Sequence, residues 1–92
     1  MFKLTNSAGK IVFQSNYELS NEDISVDDNE RYLFQICNNR WCMGDLSVEL
    51  YINDAMYKKV DVQNGKTGNI SFKAGIADKI TVRIYPKYET PA

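Results

Sequence analysis

The chain contains no histidine anywhere in its 92 residues. The commonest general base and the commonest nitrogen ligand for a metal are therefore missing. There is also no Gly-x-Ser-x-Gly element, no phosphate-binding loop and no Cys-x-x-Cys pair. These absences point away from catalysis, so the expectation is a non-enzyme with no cofactor. No apolar run approaches the roughly 18 residues needed to span a bilayer. The segment Met1-Phe2-Lys3-Leu4-Thr5-Asn6-Ser7 turns polar too early for a secretory leader. The expectation is a soluble chain with no membrane partner, cytoplasmic unless a leader has been removed.

Basic residues are missing from one stretch. Between Ile11 and Glu30 there is no Lys or Arg, while Glu18, Glu22, Asp23, Asp27, Asp28 and Glu30 supply six acids. From Arg31 onward nine bases face six acids, so the formal charge of −1 hides a polarised chain. The acidic segment 18–30 reads as a solvated loop, a docking surface or a cation site. Asp27, Asp28 and Glu30 offer the hard oxygens that calcium prefers, but their spacing matches no EF-hand loop.

Ninety-two residues make one domain with a thin stability margin. Its dominant pattern is alternation with period two, the mark of a strand with one buried face. Leu46, Val48, Leu50 and Ile52 alternate with polar or amphipathic neighbours, as do Ile80, Val82 and Ile84. Ile70-Ser71-Phe72, Val60-Asp61-Val62 and Tyr32-Leu33-Phe34-Gln35-Ile36 repeat the pattern on shorter scales. Phe2-Lys3-Leu4 and Lys10–Gln14 are expected to pair around Asn6-Ser7-Ala8-Gly9. Only Ser20–Ile24 reads as a helical turn, with Ser20 as cap and Asp23 completing the box. About seven short antiparallel strands imply a single all-β domain over residues 1–92. Two packed sheets of immunoglobulin-like or jelly-roll-like type are expected, with a small closed barrel as the alternative.

Parity suggests two hairpins. A loop at Gln63-Asn64-Gly65 sets Val60 opposite Gly68 and Met56 opposite Phe72, with Gly65 left-handed. A loop between Cys37 and Cys42, with a bulge at Gly44, sets Phe34 opposite Leu46 and Tyr32 opposite Val48. The two cysteines can form a disulfide across that loop or stand as free thiols; no further Cys or His is present to complete a zinc site.

Three surfaces are candidates for binding. The tip Asn38-Asn39-Arg40-Trp41 holds the only Trp and one of three Arg residues, the types most enriched at interface hot spots. Trp41 could equally fold back into the core. Tyr51, Tyr57 and Tyr85 fall on the outward parity near Glu49, Lys59 and Arg83, where flat rings could stack on sugars or merely cover cross-strand neighbours. No basic stripe accompanies them, so nucleic acid is not an expected partner. The leading expectation is protein recognition through the tip and the acidic segment. A carbohydrate-binding module is the alternative, and so is a small phage- or bacterium-encoded inhibitor offering acids to a basic site. Edge-strand pairing into an oligomer is a further possibility.

Overall fold

The computed structural model describes residues 1–15, 20–26, 29–38 and 44–87. Eight strands are present among them: β1 (Phe2–Asn6), β2 (Ile11–Ser15), β3 (Ser20–Ile24), β4 (Glu30–Cys37), β5 (Leu46–Ile52), β6 (Ala55–Val62), β7 (Thr67–Ala74) and β8 (Ile80–Pro86). They form two four-stranded antiparallel sheets, in the orders β2-β1-β4-β7 and β3-β8-β5-β6. The two sheets share no ladder among the described residues, so the architecture is a β-sandwich and not a closed barrel.

The pairings nest. The β5/β6 hairpin turns at Asn53-Asp54, both left-handed (φ 53° and 67°) as a two-residue hairpin turn demands. Around it come β4 with β7 and then β3 with β8, alternating between the sheets, while the local β1–β2 hairpin joins the first sheet through the pairing of β1 with β4. A long antiparallel ribbon rolled in this way is the jelly-roll pattern.

This wrapping corrects both hairpins expected from parity. Strand β4 pairs with β1 and β7, and β5 with β6 and β8, so Phe34 faces Ile70 and Tyr32 faces Phe72. Val60 faces Val48 and Gly68 faces Ile36, because the segment 63–66 crosses between sheets. Gly44 and Gly65 do take left-handed conformations (φ +68° and +83°), but they turn crossovers, not hairpins. Alternation specifies which face is buried; it does not specify the neighbouring strand. Ser20–Ile24 is also corrected, from a helical turn to a strand paired with β8 over Ser20↔Ile84 to Ile24↔Ile80. With a single apolar residue at its end, the segment has no helical stripe to bury, and the ladder wins. The β1–β2 hairpin is as expected: Asn6 N–H donates to Lys10 O at 2.9 Å, and Asn6 Oδ1 accepts from Ala8 N and Lys10 N.

The inward-facing residues close one core. Phe2, Leu4, Phe34, Ile36, Leu46, Val48, Leu50, Ile70, Phe72, Ile80 and Val82 are buried, as the alternation requires. Phe2 lies between Phe13 and Phe34, with centroids at 5.9 and 5.6 Å, and Tyr32 stacks on Phe72 at 5.9 Å. At the corner where β6 meets β7, a Cβ on Gly68 would come within 2.5 Å of Val62 Cγ2, so any side chain there would force Val62 to move. No helix among the described residues is long and apolar enough to cross a membrane.

Candidate binding surfaces

The outer face of the second sheet collects the odd-numbered residues of β5 and β8. Glu49 lies opposite Lys59 on one side and Arg83 on the other. Although it points away from the core, it is only 7% exposed. Tyr51 donates its hydroxyl to Glu49 Oε1 at 2.5 Å, and Tyr85 donates to Oε2. Arg83 adds an ion pair at 3.6 Å and lies 5.8 Å above the Tyr85 ring. These hydroxyls, Tyr51 first, hold the Glu49 carboxyl below its ordinary range against the opposing effect of burial, and Arg83 and Lys59 assist. The same bonds push both phenols up.

Tyr57 does not join this group. The register between β5 and β6 shifts at Leu50/Tyr51, so Met56 pairs with Tyr51 and Lys58 with Leu50. The extra residue turns Tyr57 toward β7, where its ring lies 6.4 Å from Phe72 and its hydroxyl donates to Ser71 O at 3.3 Å. Of Tyr51, Tyr57 and Tyr85, the structure brings together Tyr51 and Tyr85 and places Tyr57 against β7. In that pair both hydroxyls are committed, and Arg83 lies over one ring.

The tip residue Asn38 lies inside the molecule and not on its surface. It is completely buried, and its amide donates to Gly44 O at 2.9 Å and Val62 O at 3.0 Å. Its backbone N–H donates to Lys66 O, and its carbonyl accepts from Gly65 N. Asn38 thus ties the 44 region to the 62–66 crossover. Asn39, Arg40, Trp41 and Cys42 lie outside the described residues, and Cys37 carries a free, half-buried thiol.

Of the acidic candidates, Asp27 and Asp28 lie outside the described residues. Glu30 Oε1 accepts from both Ser7 N and Ser7 Oγ, at 2.7 and 3.0 Å, which clamps the β1–β2 turn to β4. No cluster of three or more metal-ligating side chains occurs among the described residues. Nearby, Asp78 accepts from Gly75 N and Asn53 Nδ2, and Asn53 Oδ1 accepts from Lys79 N. The Asn53 hydrogen bond, then that of Gly75, lowers the Asp78 carboxyl.

Comparisons with family models, curated proteins and solved structures return no match.

The remaining surface is the set of sheet edges. An edge strand exposes unpaired backbone groups that template pairing unless something blocks them. Three of the four edges carry a block. On β6, Lys58 stands opposite the buried Leu50, beside the exposed Lys59. On β7, Tyr57 occupies Ser71 O and Lys73 is exposed. On β3, Asp23 places an exposed charge on the edge strand. Strand β2, Ile11-Val12-Phe13-Gln14-Ser15, carries no charge and no proline. Ile11 is 48% exposed, and Val12 and Phe13 pack on the core while remaining only partly covered. Sequence reasoning missed this edge because it located strands without their order. The run of five uncharged residues was nevertheless visible.

Proposed function

We propose that the protein is a non-catalytic recognition module that captures an extended segment of another protein by strand addition along β2. The observation that carries this reading is the contrast among edges. Three carry charge or a side-chain strap, whereas the five residues of β2 include no charged side chain and no proline. A strand laid beside β2 would extend its ladder and cover more of the partly buried Phe13, which already stacks on Phe2. Backbone ladders supply the affinity in this mode, while alternate side chains set specificity.

Carbohydrate binding is less well supported. Stacking on sugars needs free ring faces, and the Tyr51–Tyr85 pair is engaged with Glu49 and Arg83.

Peptides selected from a random library against the protein provide the test, with resonance mapping of the bound site. The expected result is shifts and exchange protection centred on β2, lost in Gln14→Pro, which removes an edge N–H. Peptides that map to the Glu49 face or to the 38–41 tip, and bind Gln14→Pro equally well, would overturn the proposal.

A further inference from the structure

Asn64-Gly65 is the only Asn-Gly pair in the chain. In such a pair the glycine nitrogen, unhindered by a following side chain, can reach the asparagine Cγ and displace ammonia. Both residues are exposed, and the Asn64 side-chain amide has no hydrogen-bond partner among the described residues. The electrophile of that reaction is open to solvent.

The nucleophile is held. Residues 63–66 form a turn closed by Lys66 N–H donating to Gln63 O at 3.0 Å, with Gly65 left-handed at φ +83°. The Gly65 N–H donates to Asn38 O at 2.6 Å, and the Asn38 N–H returns a bond to Lys66 O at 2.9 Å. Asn38 is wholly buried and is itself fixed by its side-chain amide, which holds Gly44 O and Val62 O. From a second direction, Asn64 N–H donates to Asp45 Oδ1 at 3.0 Å.

We propose that Asn64 is a site of spontaneous covalent modification, deamidation through a cyclic imide with Gly65, and that the fold holds it in check by clasping the Gly65 N–H to Asn38 O. In the first step the Gly65 nitrogen loses its proton to solvent base and bonds to Asn64 Cγ. The Cγ–Nδ2 bond breaks, and the amide nitrogen takes a proton from solvent and leaves as ammonia. Water then adds to one of the two ring carbonyls. Breaking the new Cγ–N bond leaves an aspartate. Breaking the original peptide bond instead leaves an isoaspartate, with the main chain running through Cγ. Water is the only co-reactant, and nothing is oxidised or reduced.

An N–H engaged at 2.6 Å is harder to deprotonate and is fixed in direction, so reaction waits on opening of the clasp. The isoaspartate product lengthens the main chain by one atom. The clasp then cannot re-form in its original register, and the crossover from β6 to β7, which links the two sheets, stays loosened.

The experiment incubates the intact protein and a free peptide of residues 61–68 at mildly alkaline pH. Position 64 is read by peptide mapping that resolves asparagine, aspartate and isoaspartate. The peptide is expected to convert about a hundredfold faster than the protein. Asn38→Ala should convert about tenfold faster than the parent. Asp78→Ala, which removes hydrogen bonds at the opposite end of β7, should match the parent. In urea below the unfolding transition, the parent's conversion should rise in step with hydrogen exchange of the Gly65 N–H. That measurement serves equally if Asn38→Ala does not fold.

Equal rates in protein and peptide would overturn the clasp, as would a folded Asn38→Ala protein that converts no faster than the parent. Equal acceleration by Asp78→Ala would assign the opening to general unfolding and remove the role of Asn38. Conversion in urea that ignores Gly65 exchange would do the same. Conversion that appears first at another asparagine would eliminate Asn64 as the site.

Discussion

The hydroxyl of Tyr85 on β8 donates to the carboxylate of Glu49 on the neighbouring β5, and this bond buries a charge on the outside of a sheet. Tyr51 completes the cover from two residues along β5. A carboxylate shielded in this way is tolerated only because both oxygens are engaged and two bases flank it.

The Glu49 carboxyl lies below its ordinary value of 4.5 in the fold. Its stabilising contribution is therefore complete above the ordinary glutamate range and is lost as pH falls through the depressed folded value. Tyr85→Phe should cost about 1 kcal/mol at neutral pH, a figure reduced because the cluster is partly open to water. Denaturant melts from neutral to acid pH should show the two proteins converging below the ordinary glutamate range. A constant gap across that span would indicate that the loss is packing and not the hydrogen bond.

Asn38→Ala should be strongly destabilising for a polar substitution. It strands Gly44 O and Val62 O in a buried site and opens a cavity between crossovers. A loss of about 1–3 kcal/mol is expected, measured as a lower urea midpoint with an unchanged slope. A midpoint equal to that of the parent would show that water replaces the amide.

Gly68→Ala tests the corner between β6 and β7. The added methyl meets Val62 Cγ2, so overpacking should cost about 1–3 kcal/mol. The double substitution Gly68→Ala with Val62→Ala should recover part of that loss. If the pair is merely additive, the clash is not the cause.

Tyr57→Ser removes both the bond to Ser71 O and the ring over Phe72, and so unblocks the β7 edge. Faster aggregation at raised temperature is expected, while Ile11→Lys on β2 should slow it. Light scattering during a thermal ramp measures both. A Tyr57→Ser protein that scatters no earlier than the parent would remove Tyr57 from the role of guard.

Several features were legible before any coordinates. Ile80, Val82 and Ile84, like Leu46, Val48 and Leu50, sit inward as their alternation requires. The same parity placed Tyr51 and Tyr85 near Glu49 and Arg83, where they are found. It failed for Tyr57, because one extra residue in β6 reverses every assignment between the bulge and the turn. It failed for Asn38 because a polar residue beside a cysteine looks like a loop residue. In the fold its buried amide donates to Gly44 O and Val62 O, while its Oδ1 has no partner among the described residues.

The absence of histidine and the uncharged run at β2 are properties of the sequence alone. So are the period-two burial and the base-free stretch from Ile11 to Glu30. Each is local, and a chain that must hide apolar side chains on one face of a strand displays them in order. Strand partnership is not local. Adjacent strands β4 and β5, or β6 and β7, have matching apolar faces and would satisfy a hairpin. Rolling the ribbon about Asn53-Asp54 instead buries both sheets against each other, which no single hairpin can do. That choice left the uncharged β2 at an edge of its sheet, and it joined Tyr85 to Glu49 across 36 residues of chain.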